Sequence, residues 1–193
     1  MTSTNPPPLR LPQALVDVSA GVRQRARAQA KVPGASGQIT KFARANRNAA
    51  LIEAIVLNGI RICEVIALRQ ADVDVKKMRI RRAPDAEWLP LRTCQVEAWH
   101  SLVRPRLKHA SFFPPLSRVS IWRILRAAGH DAGLRKPLNS RRARRVLGFT
   151  LGRRHCVPAR TLSVALGVQD ARSVQRYLEP IDLSGLPTSP SGR

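Results

Sequence analysis

Residues 46–58 (NRNAALIEAIVLN) are almost continuously apolar after Arg47, and Gly59 follows at once. A run of that length with so few polar positions is predicted as a helix buried on most of its sides. Glycine suits the helix end because it accepts the left-handed C-terminal conformation without a steric penalty. Such a helix needs other elements packed around it. Apolar residues make up 44% of the 193 positions and aromatic ones only 4%, so the core is expected to rest on Leu, Ile, Val and Ala. The length suits one domain, or one domain with a small extension.

The flanking pattern predicts a mainly α protein with a small antiparallel β hairpin or sheet. Residues 1–12, with Pro6, Pro7, Pro8 and Pro12, read as an extended arm, and residues 13–30 as a short helix. A loop containing Lys31, Pro33, Gly34 and Gly37 precedes a main body that begins near Ile39. The predicted division is thus an N-terminal extension over 1–38, a domain over 39–179 and a flexible tail over 180–193. Within the domain a second helix is expected over 62–69. A strand is expected over 73–82, a turn at Pro84 and Asp85, and a return strand over 87–91. A helix over 93–108 follows, with Val96, Trp99, Leu102 and Val103 on one face. Ser117 or Ser120 is expected to cap a helix that ends at Gly129. Further helices are expected over 140–152 and 161–166, the latter ending at Gly167, and Asp170 is expected to cap a last one.

Charge narrows the partner. Lys and Arg number 34 against 12 Asp and Glu, a formal net charge of +22. A folded chain with that imbalance repels itself and calls for a polyanion. Nucleic acid is favoured over an anionic membrane surface. The basic residues run along the whole chain, and no stretch approaches the ~20 apolar residues of a membrane span. Cys63, Cys94 and Cys156 form no CxxC pair and no Cys/His cluster with ligand spacing. No metal or other cofactor is therefore expected, and the thiols read as small core residues of a reducing cytoplasm. The N-terminus shows no signal-peptide pattern.

Three clusters carry candidate chemistry. In Gly59-Ile60-Arg61-Ile62-Cys63-Glu64, Arg61 stands at a junction of helices, where a fixed guanidinium can offer two parallel donors to a phosphate, with Glu64 one turn on to orient it. Taken alone, it is equally an ordinary surface pair. The run Arg141-Arg142-Ala143-Arg144-Arg145 opens a helix that turns apolar through Val146-Leu147-Gly148-Phe149; by itself this is a basic face for a DNA backbone. Tyr177, the single tyrosine, lies nine residues beyond Leu166-Gly167-Val168 in a helix with Arg172 and Arg176, and a lone tyrosine is ordinarily a half-buried helix residue.

In order and spacing the three clusters resemble the tyrosine recombinase (phage integrase) family over about residues 39–178. Gly59 to Glu64 resembles that family's first-arginine box, and Arg144 to Leu151 its second. Leu166 to Tyr177 resembles the Leu-Gly-His stretch that leads to its nucleophile, and Leu89-Pro90-Leu91 the end of its hairpin. Gly148-Phe149-Thr150-Leu151 is similar to the short invertases that switch fimbrial genes. The resemblance implies the catalytic-domain fold of that family, double-stranded DNA as partner, and association with another copy or another recombinase subunit on DNA. It also implies a bacterial, cytoplasmic, nucleoid-associated setting. Arg61 and Arg144 would hold the non-bridging phosphate oxygens while Tyr177 attacks phosphorus, with no metal or cofactor. Arg145 is one residue away from Arg144 and is the alternative second arginine. Arg142, Arg145, Arg172 and Arg176 would contact DNA.

Three positions depart from the family pattern. Arg141 stands where the second box has a histidine, and Val168 where the Leu-Gly-His histidine would be. The hairpin has Arg81 and Arg82 near the place of a proton-donating lysine, and a guanidinium stays charged and donates protons poorly. Within that family two functions therefore remain. One is DNA recombination or integration through a covalent phosphotyrosine. The other is a relative that no longer cuts and serves as a DNA-binding regulator or architectural subunit. A basic RNA-binding protein is a third.

Overall fold

Helix α1 (Gln13–Ala30) lies along helix α2 (Ser36–Val56) and buries Val18 and Val22 against it. These helices belong to a computed structural model that describes residues 13–30, 36–91, 96–104 and 106–179. The predicted arm, the tail and loop residues 31–35 lie outside the described residues. Helix α2 begins ten residues before the predicted start at 46, and Gly37 falls in its first turn. The entropic cost of glycine applies in full to a helix interior and less at an end, where residues are held less tightly.

The apolar run is buried as predicted. Ala49 to Ile52 and Ala54 to Val56 are inaccessible or nearly so. Gly59 turns the chain at φ 61°, and the Ile60 N–H donates back to the Ala54 carbonyl at 3.1 Å, which closes the helix end. Inside this run sits Glu53. Its Oε1 accepts from Ser19 Oγ at 3.1 Å and Arg23 Nη1 at 3.0 Å, and its Oε2 accepts from Trp99 Nε1 at 3.2 Å. The carboxyl thus ties α1 to α2 and to the short helix α4 (Val96–His100). Burial pushes it up to about 7, against the opposing pull of Arg23 and the three hydrogen bonds.

Helix α3 (Ile62–Ala67) and a 3₁₀ turn (Gln70–Asp72) lead into a three-stranded antiparallel sheet of order β1-β2-β3. The predicted strand over 73–82 is two strands, β1 (Val73–Asp74) and β2 (Arg79–Ile80). Asp74 Oδ1 accepts from the Lys77 N–H at 3.1 Å and folds the chain back between them, a use of Asp that alternating apolarity does not register. Val73 pairs with Ile80, and Ile80 with Leu89 of β3 (Leu89–Pro90).

Among the described residues of the predicted helix over 93–108, only α4 is helical. Pro105 has no N–H and disfavours helical geometry at Arg104, so the apolar periodicity through Leu102 and Val103 cannot continue as a helix. Gln70 stitches that segment instead, donating to the Leu102 carbonyl at 3.0 Å and accepting from the Arg104 N–H at 2.7 Å. The core also holds more aromatic surface than expected: Trp99, Phe112 and Phe113 pack with ring centroids 5.1–6.2 Å apart. Cys63 and Cys156, expected in that core, are exposed.

Helix α5 (Arg118–Asp131) starts at Ser117, whose Oγ accepts from the Ser120 N–H at 3.1 Å. It runs past the predicted stop at Gly129. That glycine serves a close approach, since a Cβ there would sit 2.7 Å from Leu138 Cβ. Asn139 caps α6 (Ser140–Phe149), and a π-helical turn (Thr150–Arg154) replaces the last part of the predicted 140–152 helix. Helices α7 (Ala159–Leu166) and α8 (Ala171–Leu178) match expectation. Gly167 is left-handed at φ 58°, and Asp170 Oδ1 accepts from the Ser173 N–H at 2.6 Å. The result is a mainly α fold with a small antiparallel sheet.

Candidate active site

Arg61 occupies the residue before α3, fixed in an extended conformation by the helix it precedes. Glu64 reaches back, and its Oε2 accepts from the Arg61 N–H at 2.6 Å. The Arg61 side chain is 46% exposed, and its Nη2 donates to the Gly167 carbonyl at 3.2 Å. Arg144 projects from the middle of α6 and is only 6% exposed; its Nη2 donates to the Leu166 carbonyl. Its guanidinium carbon lies 5.5 Å from the centroid of the half-buried Tyr177 ring. Tyr177 can come that near because α6 has a glycine opposite it: a Cβ on Gly148 would lie 2.8 Å from Tyr177 Cβ.

Arg61, Arg144 and Tyr177 line one open groove of about 390 Å³. Arg141 lines it too, as do Arg118, Ser140 and Cys63. The sequence pattern gives the last three no functional role. Ser140 abuts the arginine run and Arg118 follows the Ser117 cap, but only the docking of α5 and α6 on α2, with α5 against α3, turns them to the same space.

The groove holds an excess of positive charge. Burial chiefly pulls the Arg144 guanidinium below the ordinary arginine range, and neighbouring Arg61 acts in the same direction against Tyr177 and Glu64. Charge already in place, partly desolvated and held by backbone carbonyls, favours an anion entering the groove.

The remaining predicted residues are spread around this centre. Arg82 is not among the groove-lining residues. It is buried, and its guanidinium donates to Glu64 Oε2 at 2.9 Å, to the carbonyls of Gly59 at 3.1 Å and Asn58 at 3.0 Å, and to that of Ala165. Arg81 pairs with Asp72 at 2.9 Å and lies over the Trp88 ring. Val168 is half-buried, packed against the core. Arg142 and Arg145 are half-buried on α6, with Arg145 Nη2 3.9 Å from Glu179. Arg172 and Arg176 are exposed on α8. Among the described residues no cluster of three or more His, Cys, Asp or Glu can hold a metal ion, and no helix is long and apolar enough to cross a membrane.

Neither a family model nor a curated protein matches the sequence. A solved structure does match the fold. The crystal structure of XerA recombinase is similar with a TM-score of 0.67 and 16% identity, over 94% of this chain and 62% of that one. The chain therefore spans less than two thirds of that recombinase's length. The architecture is the tyrosine recombinase catalytic-domain fold.

Proposed function

We infer that this chain binds double-stranded DNA and breaks and rejoins it through a covalent phosphotyrosine. The observation that carries the reading is the convergence of Arg61, Arg144 and Tyr177 on one groove, from three segments that together span more than a hundred residues of sequence. Arg61 and Arg144 would clamp the two non-bridging oxygens of a phosphodiester. The Tyr177 hydroxyl would attack phosphorus, losing its proton as the P–O bond forms. The 5′ oxygen would leave, taking a proton, and a second 5′ hydroxyl would reverse the step. The bond energy is kept in the phosphotyrosine, so the balance needs no nucleotide or metal. The catalytic module would be the 39–179 segment, acting in a bacterial cytoplasm with a further copy or another recombinase on the same DNA. Gly148-Phe149-Thr150-Leu151 favours a short invertase as the nearest kind of recombinase.

A second reading has its own support. Val168 carries no proton, Arg141 replaces a histidine, and Arg82 is engaged in the interior. Absence of one general acid–base group costs about 10²–10⁴ in rate. A chain lacking them would act as a DNA-binding regulator or architectural subunit.

The test begins by selecting the preferred duplex from a random pool, then presenting it nicked to the protein. A denaturant-resistant protein–DNA adduct that Tyr177→Phe abolishes supports recombination. Specific binding without an adduct supports the regulator. Better binding to structured RNA than to any duplex overturns both.

A further inference from the structure

The geometry points to Arg82 as a positioning residue that sets Arg61 and Arg144 through the C-terminal end of α7. Three successive carbonyls end that helix, and each receives one guanidinium: Ala165 from Arg82, Leu166 from Arg144 and Gly167 from Arg61. The negative end of a helix macrodipole and its unpaired carbonyls attract cations in this way. Arg82 occupies the centre of the arrangement. It also grips the opposite wall, through the Asn58 and Gly59 carbonyls and Glu64, the carboxylate that holds the Arg61 N–H and pairs with the Arg61 guanidinium at 3.9 Å. One planar fork thus joins the end of α2, the start of α3 and the end of α7.

The fit is tight on both sides. A Cβ on Gly167 would meet Arg82 Cδ at 3.0 Å and Nε at 3.1 Å, and a Cβ on Gly59 would meet Leu147 of α6 at 2.9 Å. Removing the fork would leave several buried acceptors unpaired and let α7 shift against the Arg61 junction. Arg61 is half in solvent, so its direction depends on this frame more than on its own burial. The role differs from proton donation: Arg82 acts through Arg61 and Arg144 and lies apart from the reacting phosphate.

This assignment rests on the proposed DNA reaction, so its test has one arm that needs no DNA. Lysine keeps the charge but concentrates its donors at one point, and it cannot span acceptors on three segments. In folded Arg82→Lys protein, the side-chain Nε–H NMR signals of Arg61 and Arg144 are expected to shift or broaden, while that of exposed Arg172 stays. Unchanged Arg61 and Arg144 signals overturn the assignment. The second arm is a double-mutant cycle on affinity for a nicked duplex. Arg82→Lys is expected to weaken binding about tenfold when Arg61 is present and under about twofold in an Arg61→Ala chain. Equal losses in both backgrounds overturn action through Arg61. Wild-type protein with no salt-dependent DNA binding refutes the DNA reading, and the NMR arm still decides the role of Arg82. If Arg82→Lys does not fold, Arg82→Gln, whose single amide cannot span the three segments, is read by the same signals.

Discussion

Gly148→Ala should separate the placement of Tyr177 from the stability of the protein. A methyl group at position 148 would begin 2.8 Å from Tyr177 Cβ and 3.0 Å from Leu166 Cδ1. Carbon atoms rest at about 3.5–4.0 Å, so the required displacement is roughly 1 Å. Tyr177 Cβ is joined directly to the backbone, so no rotamer change relieves the clash and α8 itself must move. Overpacking of this kind costs about 1–3 kcal/mol. Alanine in place of glycine inside a helix returns about 1 kcal/mol. The net loss is about 0–2 kcal/mol, or a Tm lower by under about 8 °C for a domain of this size. A misplacement of ~1 Å at a reacting group can lower a rate by ~10². The variant should therefore melt only slightly early by circular dichroism yet form the phosphotyrosine adduct roughly a hundred times more slowly. In a chain that does not cut, the ring-proton NMR signals of Tyr177, the single tyrosine, report the same movement away from Arg144. Gly21→Ala on α1 is the control, because nothing lies within 4 Å of a Cβ there. Wild-type adduct kinetics and wild-type Tyr177 signals in Gly148→Ala would refute the argument that α8 is pinned against α6.

Glu53 predicts a pH dependence of stability. Its folded value, about 7, lies above its unfolded one, so its contribution is fully present below about 4.5 and is lost as the pH rises through 7, a span of roughly 3 kcal/mol. Urea midpoints between pH 4.5 and 8 should show this slope in the wild type and lose it in Glu53→Gln; a slope that survives the substitution rejects the assignment. On the basic surface, replacing exposed Arg172 and Arg176 of α8 with Gln should lower the slope of log affinity against log salt for duplex DNA by about 0.9 for every phosphate that is no longer neutralised. An unchanged slope would take α8 out of the DNA interface.

Much of this organisation is written locally in the chain. The apolar run closed by Gly59, the Ser117 and Asp170 caps and the left-handed Gly167 each depend on neighbours a few residues away, and each is found where the local pattern puts it. Elements whose form depends on remote partners are read less well. Gly129 has the local signature of a helix stop, but Leu138 packs against it and the helix continues. The apolar face through Val103 outweighed Pro105 in the sequence pattern, although the missing N–H decides the outcome. The boxes around Arg61, Arg144 and Tyr177 are legible as an ordered set. The interior placement of Arg82 is not, because its acceptors come from Asn58, Gly59 and Ala165, and no periodicity marks a carbonyl as available. Cys63 and Arg118 enter the groove for a similar reason: their directions are set by how whole helices dock.

The latch on α7 also has a consequence for synthesis. The bond from Arg61 to Gly167 spans 106 residues, and that from Arg82 to Ala165 spans 83. Contacts of such separation close large loops and form late. A nascent chain can complete α2, the sheet and even α6 while Arg61 still has no helix end to seize. Until the last two helices have left the ribosome, Arg61 and Arg144 lack the carbonyls they seize and Tyr177 is absent, so a half-made polypeptide has no such groove.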